Sequence, residues 1–145
     1  TMFEPTASEY VSKGKGYIVA SVGEASGEVP YTAFSASKNF VEKNPDYIKA
    51  FIRAIIKGYD FIKNNDASVV AKSLQPHFAG IDIKMIEASV VSYRKIDAWA
   101  DTPVMNKDAF ETLKNIMKNA GFLSQDVAFE DIVDNTHAIA VINEK

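Results

Sequence analysis

The spacing of apolar positions changes character early in the chain. Before Lys38 the apolar residues come in short runs. Gly16–Val22 (GYIVASV) and Tyr31–Ser37 (YTAFSAS) are rich in β-branched and aromatic residues and predict two short strands. Between them GEASGEVP supplies Gly23, Gly27 and Pro30, the punctuation of a loop or crossover. Upstream, Pro5–Lys13 places Ala7, Tyr10 and Val11 on one side of a short helix that Gly14 and Gly16 end. That Gly-Lys-Gly is a plain turn, because no Gly-Lys-Ser/Thr follows a four-residue gap as a phosphate loop needs.

After Lys38 the period lengthens to about 3.6 residues. Asn44 is placed to cap a helix with Pro45 at its first position, where the missing N–H costs nothing, and Asp46 complements the dipole. Ile48, Phe51, Ile52, Ile55, Tyr59 and Ile62 then recur at steps of three and four, a stripe that must face a core or a partner. Asp66 opens a shorter helix with Val69, Val70 and Leu74, stopped by Pro76. Asp82 opens another with Met85, Ile86, Val90 and Tyr93 on one face. Asn106 opens one more, with Phe110, Leu113 and Met117 inward and Gly121 at its end. Phe129–Asn135 adds a final turn or two.

Two strands followed by four helices are unbalanced. A pair of short strands does not make a stable sheet, and the helical stripes need a surface to bury against. Either the helices pack on one another with a β appendage, or the strands join a sheet whose other members lie outside this sequence.

Composition narrows the function classes. At 145 residues, 47% hydrophobic and 24% charged, the chain has the balance and length of an ordinary globular domain. The net charge of -3 is mild and the 16 Lys and Arg residues are dispersed, so no footprint for nucleic acid is present. No apolar run reaches the ~18 residues that suggest a membrane span. The absence of cysteine removes disulfides, Cys-type zinc sites and thiol nucleophiles, and fits a reducing cytoplasm or a cysteine-poor secreted protein equally.

The order Phe3-Glu4-Pro5, then GKGYIVAS, a Gly-rich gap, PYTAFSASKNFVEKNPDYIKAFIRAIIKGYDFIKNN and later AGFLSQDVAFEDIVDN resembles the C-terminal half of ABC-transporter substrate-binding proteins. The branch it is most similar to binds thiamine-precursor pyrimidines, taurine, alkanesulfonates or nitrate. The resemblance implies an α/β chain: the helix-rich C-terminal portion of a two-lobed, periplasmic-binding-protein-like (type II) fold whose N-terminal half is absent. Residues 1–30 would close the second lobe and carry the crossover, and 31–145 would be the C-terminal helical part of the first lobe. It further implies capture without chemistry: a small-molecule ligand held in an interlobe cleft and delivered to an ABC permease. Such a protein is extracytoplasmic, in a periplasm or as a cell-surface lipoprotein. An exposed strand edge would drive the isolated piece towards a homo-oligomer or swapped dimer.

Under that resemblance Glu4 is the first candidate ligand residue, an acceptor for N–H or O–H groups, with Phe3 beside it as a packing surface; the competing reading is that Glu4 caps the helix opening at Pro5. Tyr31 and Thr32 sit where the crossover strand would face the cleft, against the alternative of a half-buried strand tyrosine. Trp99, the only tryptophan, is placed either to wall a ligand pocket or to anchor its loop on the core. Ser26 and Ser35 are secondary candidates. A carboxylate in the cleft repels a sulfonate or nitrate unless paired, which leans the ligand towards an amino-bearing heterocycle such as a pyrimidine.

No catalytic constellation is expected. His77 and His137 are far apart and lack spaced partners, and no HExxH or nucleophile elbow accompanies them. Pyrimidine-synthesising relatives of this fold use a histidine-rich, cysteine-bearing site that this sequence lacks. Asp131 and Asp134, three apart, read as a solvated face before a metal site, and neither metal nor cofactor is expected. The competing class is a cytoplasmic helical interaction module in which the Ile48–Ile62 stripe binds a protein partner.

Overall fold

The computed structural model describes residues 1–144; Lys145, the last residue of the segment expected over 31–145, lies outside them. The elements are α1 (Thr6–Ser12), α2 (Val22–Ser26), α3 (Lys38–Lys43), α4 (Pro45–Asn64), α5 (Ala67–Leu74), a 3-10 turn (Gln75–His77), α6 (Ile83–Lys95), α7 (Lys107–Asn119), α8 (Phe129–Ile132) and α9 (Thr136–Ile142). The helices predicted over Pro5–Lys13 and after Asn44, Asp66, Asp82 and Asn106 form within a residue or two of where their caps and stripes placed them, whereas the turns predicted over Phe129–Asn135 shorten to α8, and α3 and α9 form where the apolar pattern predicted no helix.

The predicted strands do not form. Among the described residues there is no strand, so the chain is helical rather than α/β as it stands. Residues 16–21 are irregular and Val22 starts α2 instead. No backbone hydrogen bond joins residues 16–20 to another described segment. Strand structure requires a ladder partner, and β-propensity without one leaves side chains in water: Tyr17 is 91% and Val19 95% exposed. The segment 33–37 is likewise coil with no ladder partner among the described residues, and its last residue, Ser37, caps α3.

Two compact units interleave in sequence. The first comprises Thr1–Ala25 and Gly58–Asp101, the second Ser26–Lys57 and the chain from Thr102. In the first, α5 and α1 both pack on α6. Val70 and Ala71 of α5 and Ile86 and Val90 of α6 are its buried core, each larger side chain contributing about 1.5–3 kcal/mol of burial. The Asp82 side chain accepts from the Lys84 N–H at 2.8 Å and starts α6. At the other end of α6 Arg94 donates to the carbonyls of Ile62 and Asn65, two acceptors that the end of α4 leaves unpaired.

In the second unit Ala109 and Phe110 of α7 and Ala138 and Val141 of α9 are buried, and Phe110 meets Phe129 edge-on at 5.3 Å. Asn106 caps α7 through the N–H groups of Asp108 and Ala109. Gly121, at φ 74°, closes it: its N–H reaches the Lys118 carbonyl and that of Phe122 the Met117 carbonyl, the paired bonds of a left-handed helix stop. Asn44 departs from its expected role. Its side-chain amide donates backwards to the Phe40 carbonyl at 2.9 Å, finishing α3, while its own carbonyl accepts from Ile48 at 3.1 Å and begins α4. The apolar stripe of α4 is half-covered only; no residue of this helix is buried, and Phe51 is 37% exposed.

Candidate functional site

Within the first unit α6 carries Ile86, Ser89, Val90 and Tyr93 at steps of three and four, one continuous face. Leu74 and Phe78 from the end of α5 and the turn beyond it, Glu4 and Pro5 ahead of α1, and Trp99 after α6 complete the walls around that face. They enclose an apolar concavity of about 220 Å³. A cavity of about 150 Å³ lined by aliphatic and aromatic groups takes benzene, so this one holds a single substituted ring. None of the residues lining it is a lysine or arginine.

Glu4 and Trp99, singled out separately by sequence, therefore line the same concavity. Glu4 does the capping work as well: its Oε2 accepts from the Ser8 N–H at 3.1 Å, across the first turn of α1. Among the described residues no other hydrogen bond to this carboxylate is present, and Glu4 is the one charged residue in the lining of the concavity. Ser89 is buried and its hydroxyl is committed to the Met85 carbonyl at 2.7 Å.

Trp99 owes its position to how α6 ends. Asp97 adopts φ 52°, the left-handed region that a side chain other than glycine rarely enters. With it the Asp97 N–H reaches the Arg94 carbonyl at 3.2 Å and the Ala98 N–H the Tyr93 carbonyl at 2.9 Å, a helix stop that turns the chain back along α6. The indole then meets the Tyr93 ring edge-on, centroids 5.7 Å apart and planes at 75°. Tyr93 was read from sequence only as a core-facing position; its i+7 spacing from Ile86 was visible, its place beside Trp99 was not.

The other sequence candidates lie elsewhere. Phe3 is 65% exposed and is not among the lining residues, although its carbonyl accepts from Ala7 at the start of α1. Tyr31, 73% exposed, and Thr32 belong to the second unit and do not line this concavity. The Ser26 hydroxyl donates to the Gly27 carbonyl at 3.1 Å, and Ser35 is exposed. A second, more polar hollow of about 330 Å³ also touches Pro5; in its lining Glu9 pairs with Lys13, which holds the Glu9 carboxyl below its usual range, and Asp82 caps α6. Asp134 is likewise engaged, accepting from the Thr136 N–H at 2.9 Å, and no cluster of metal-ligating side chains occurs among the described residues. No helix among them is long and apolar enough to cross a membrane.

The family profile of the NMT1-like family matches residues 1–74, over half of the chain, and the chain belongs to that family. It is also 36% identical over 144 residues to "Putative binding protein YtlA" of Bacillus subtilis (strain 168), an alignment that covers 99% of this chain and 43% of that protein. The chain thus spans less than half the length of this relative. Both findings agree with the resemblance to substrate-binding proteins read from Phe3-Glu4-Pro5 and the segments after it. No solved structure matches the chain.

Proposed function

We propose that this chain is part of the solute-binding component of an ABC importer, which captures a small molecule and delivers it to a membrane permease. In this reading it forms the later portion of a two-lobed type II fold. Residues 1–30 close one lobe and residues 31–145 return to the other. The protein works outside the cytoplasm, as a periplasmic or lipid-anchored component, and performs no catalysis. The observation that carries the reading is the convergence of Glu4 and Trp99 on one apolar, single-ring-sized hollow in a chain of the NMT1-like family. The name of the relative, "Putative binding protein YtlA", supports the same class.

Electrostatics favours one ligand type among those the branch takes. A carboxylate oxygen with no basic residue beside it repels sulfonate and nitrate and accepts from an amino group, so an aminopyrimidine-like ring is preferred. The aromatic wall supplies a stacking or edge contact for the ring. A thermal-shift panel of aminopyrimidines, taurine, alkanesulfonates and nitrate tests this. A ligand at a hundredfold over its dissociation constant stabilises the folded state by about 2.7 kcal/mol. A selective shift with an aminopyrimidine that weakens on Glu4→Ala supports the reading; no shift from a well-folded chain removes it.

One observation favours a second reading, the helical interaction module: the α4 stripe is incompletely covered, with Phe51 exposed and none of its residues buried. Binding to an amphipathic peptide that is lost on Phe51→Ser, with no response to any small molecule, is the result this reading requires.

A further inference from the structure

We propose that Tyr93 and Asp97 are positioning residues that hold the Trp99 indole as a fixed wall of the Glu4 pocket. Trp99 follows the end of a helix, where an indole on an irregular connection has many rotamers and backbone paths open to it. Two features remove that freedom. Asp97 adopts a left-handed φ of 52°, and the two backbone bonds closed across it direct residues 98 and 99 back towards the last turns of α6. Tyr93 then presents its ring to the indole at 5.7 Å and 75°, the edge-on geometry in which aromatic pairs attract. A non-glycine residue at positive φ persists only where its surroundings over-determine it, and such residues concentrate at ligand sites.

The arrangement has a purpose only if the wall must be preformed. A ligand meeting a mobile indole would have to order it, at a cost of about 0.5–1.5 kcal/mol, which is a two- to tenfold loss of affinity. The consequence for affinity rests on the ligand reading given above; the placement of the indole does not. Trp99 is the only tryptophan, so its spectrum reports this site alone.

The test compares the 145-residue chain with Tyr93→Leu, Tyr93→Phe, Asp97→Val and Asp97→Gly. Near-UV circular dichroism and acrylamide quenching follow the indole, and far-UV circular dichroism checks that the helices are kept. Leucine at 93 and valine at 97 are expected to abolish most of the near-UV tryptophan band and raise the quenching constant about twofold, because the indole loses its edge contact or its backbone turn. Phenylalanine at 93 keeps the ring and glycine at 97 suits the φ, so both keep the wild-type signature. In titrations with 4-amino-2-methylpyrimidine the two disruptive variants are expected to bind two- to tenfold more weakly, and the two conservative ones as the wild type does. An unchanged band and unchanged quenching in folded Tyr93→Leu overturns the proposal; if that variant does not fold, the same result in Asp97→Val overturns it. A wild-type chain that ignores the pyrimidine removes the ligand reading alone, and the spectroscopic comparison still decides the positioning.

Discussion

Asn135 holds Met105 by both of its backbone groups: the side-chain oxygen accepts from the Met105 N–H at 3.0 Å, and the side-chain amide donates to the Met105 carbonyl at 3.0 Å. A single carboxamide thereby imitates a strand neighbour in a chain whose described residues contain no strand. It fastens the segment before α7 to the residue before α9, and both groups it serves are partly buried.

Asn135→Ala leaves that donor and acceptor without partners and is expected to cost about 1–3 kcal/mol, read as a lower urea midpoint at unchanged slope. Asn135→Asp keeps the acceptor and loses the donor, so it should fall between the two. A loss no larger than that of an exposed alanine substitution would show that water replaces the carboxamide.

Arg94→Met should loosen the end of α4 specifically. It removes the two hydrogen bonds to the Ile62 and Asn65 carbonyls but keeps much of the aliphatic stem against the helix. The expected cost is about 1 kcal/mol, with faster amide exchange over the last turn of α4 and little change at α7. Uniform acceleration across the chain would mean that Arg94 matters to global stability and not to this terminus.

Asp134 makes part of the stability acid-sensitive. The Thr136 side chain and backbone N–H, in that order, hold its carboxyl below the usual range. The folded-state value is depressed, so the stabilisation is fully present above the unfolded value of about 3.9 and is lost as pH falls through the lower folded value. Because the group is largely solvent-facing, the effect should be small, and Asp134→Asn should flatten that slice of the stability curve between pH 5 and 2. An identical acid limb in the variant would assign the sensitivity to other carboxylates.

The uncovered segment at residues 16–20 predicts self-association of the isolated chain. Tyr17, Ile18 and Val19 are exposed and their backbone is unpaired among the described residues, a template for edge pairing. Light scattering at rising concentration should show a dimer or larger species, and Val19→Lys should shift it towards the monomer. A strictly monomeric wild type would count against pairing through this edge.

The helices were legible because their signals are local. Asp82 and Asn106 carry side chains that reach N–H groups two or three residues on, Pro45 needs no donor at its position, and Gly121 adopts a φ that other residues resist. These interactions are complete within one turn and require no knowledge of the rest of the chain. Gly16–Val22 failed as a strand for the converse reason: β-propensity describes how a residue fits beside a neighbouring strand, and no described segment supplies that neighbour.

The amino-acid sequence by itself determined where α1 and α4 to α7 start and stop, and the membership that Phe3-Glu4-Pro5 and the segments after it announce. Only the tertiary structure decided that Glu4 and Trp99 share a wall, that Tyr93 faces the indole, and that Asn135 reads the backbone of Met105. Capping and turn chemistry are settled between near neighbours along the chain. Pockets are made by side chains far apart in sequence, and those meet only when packing α1 and α5 on α6 repays the entropy of bringing them together.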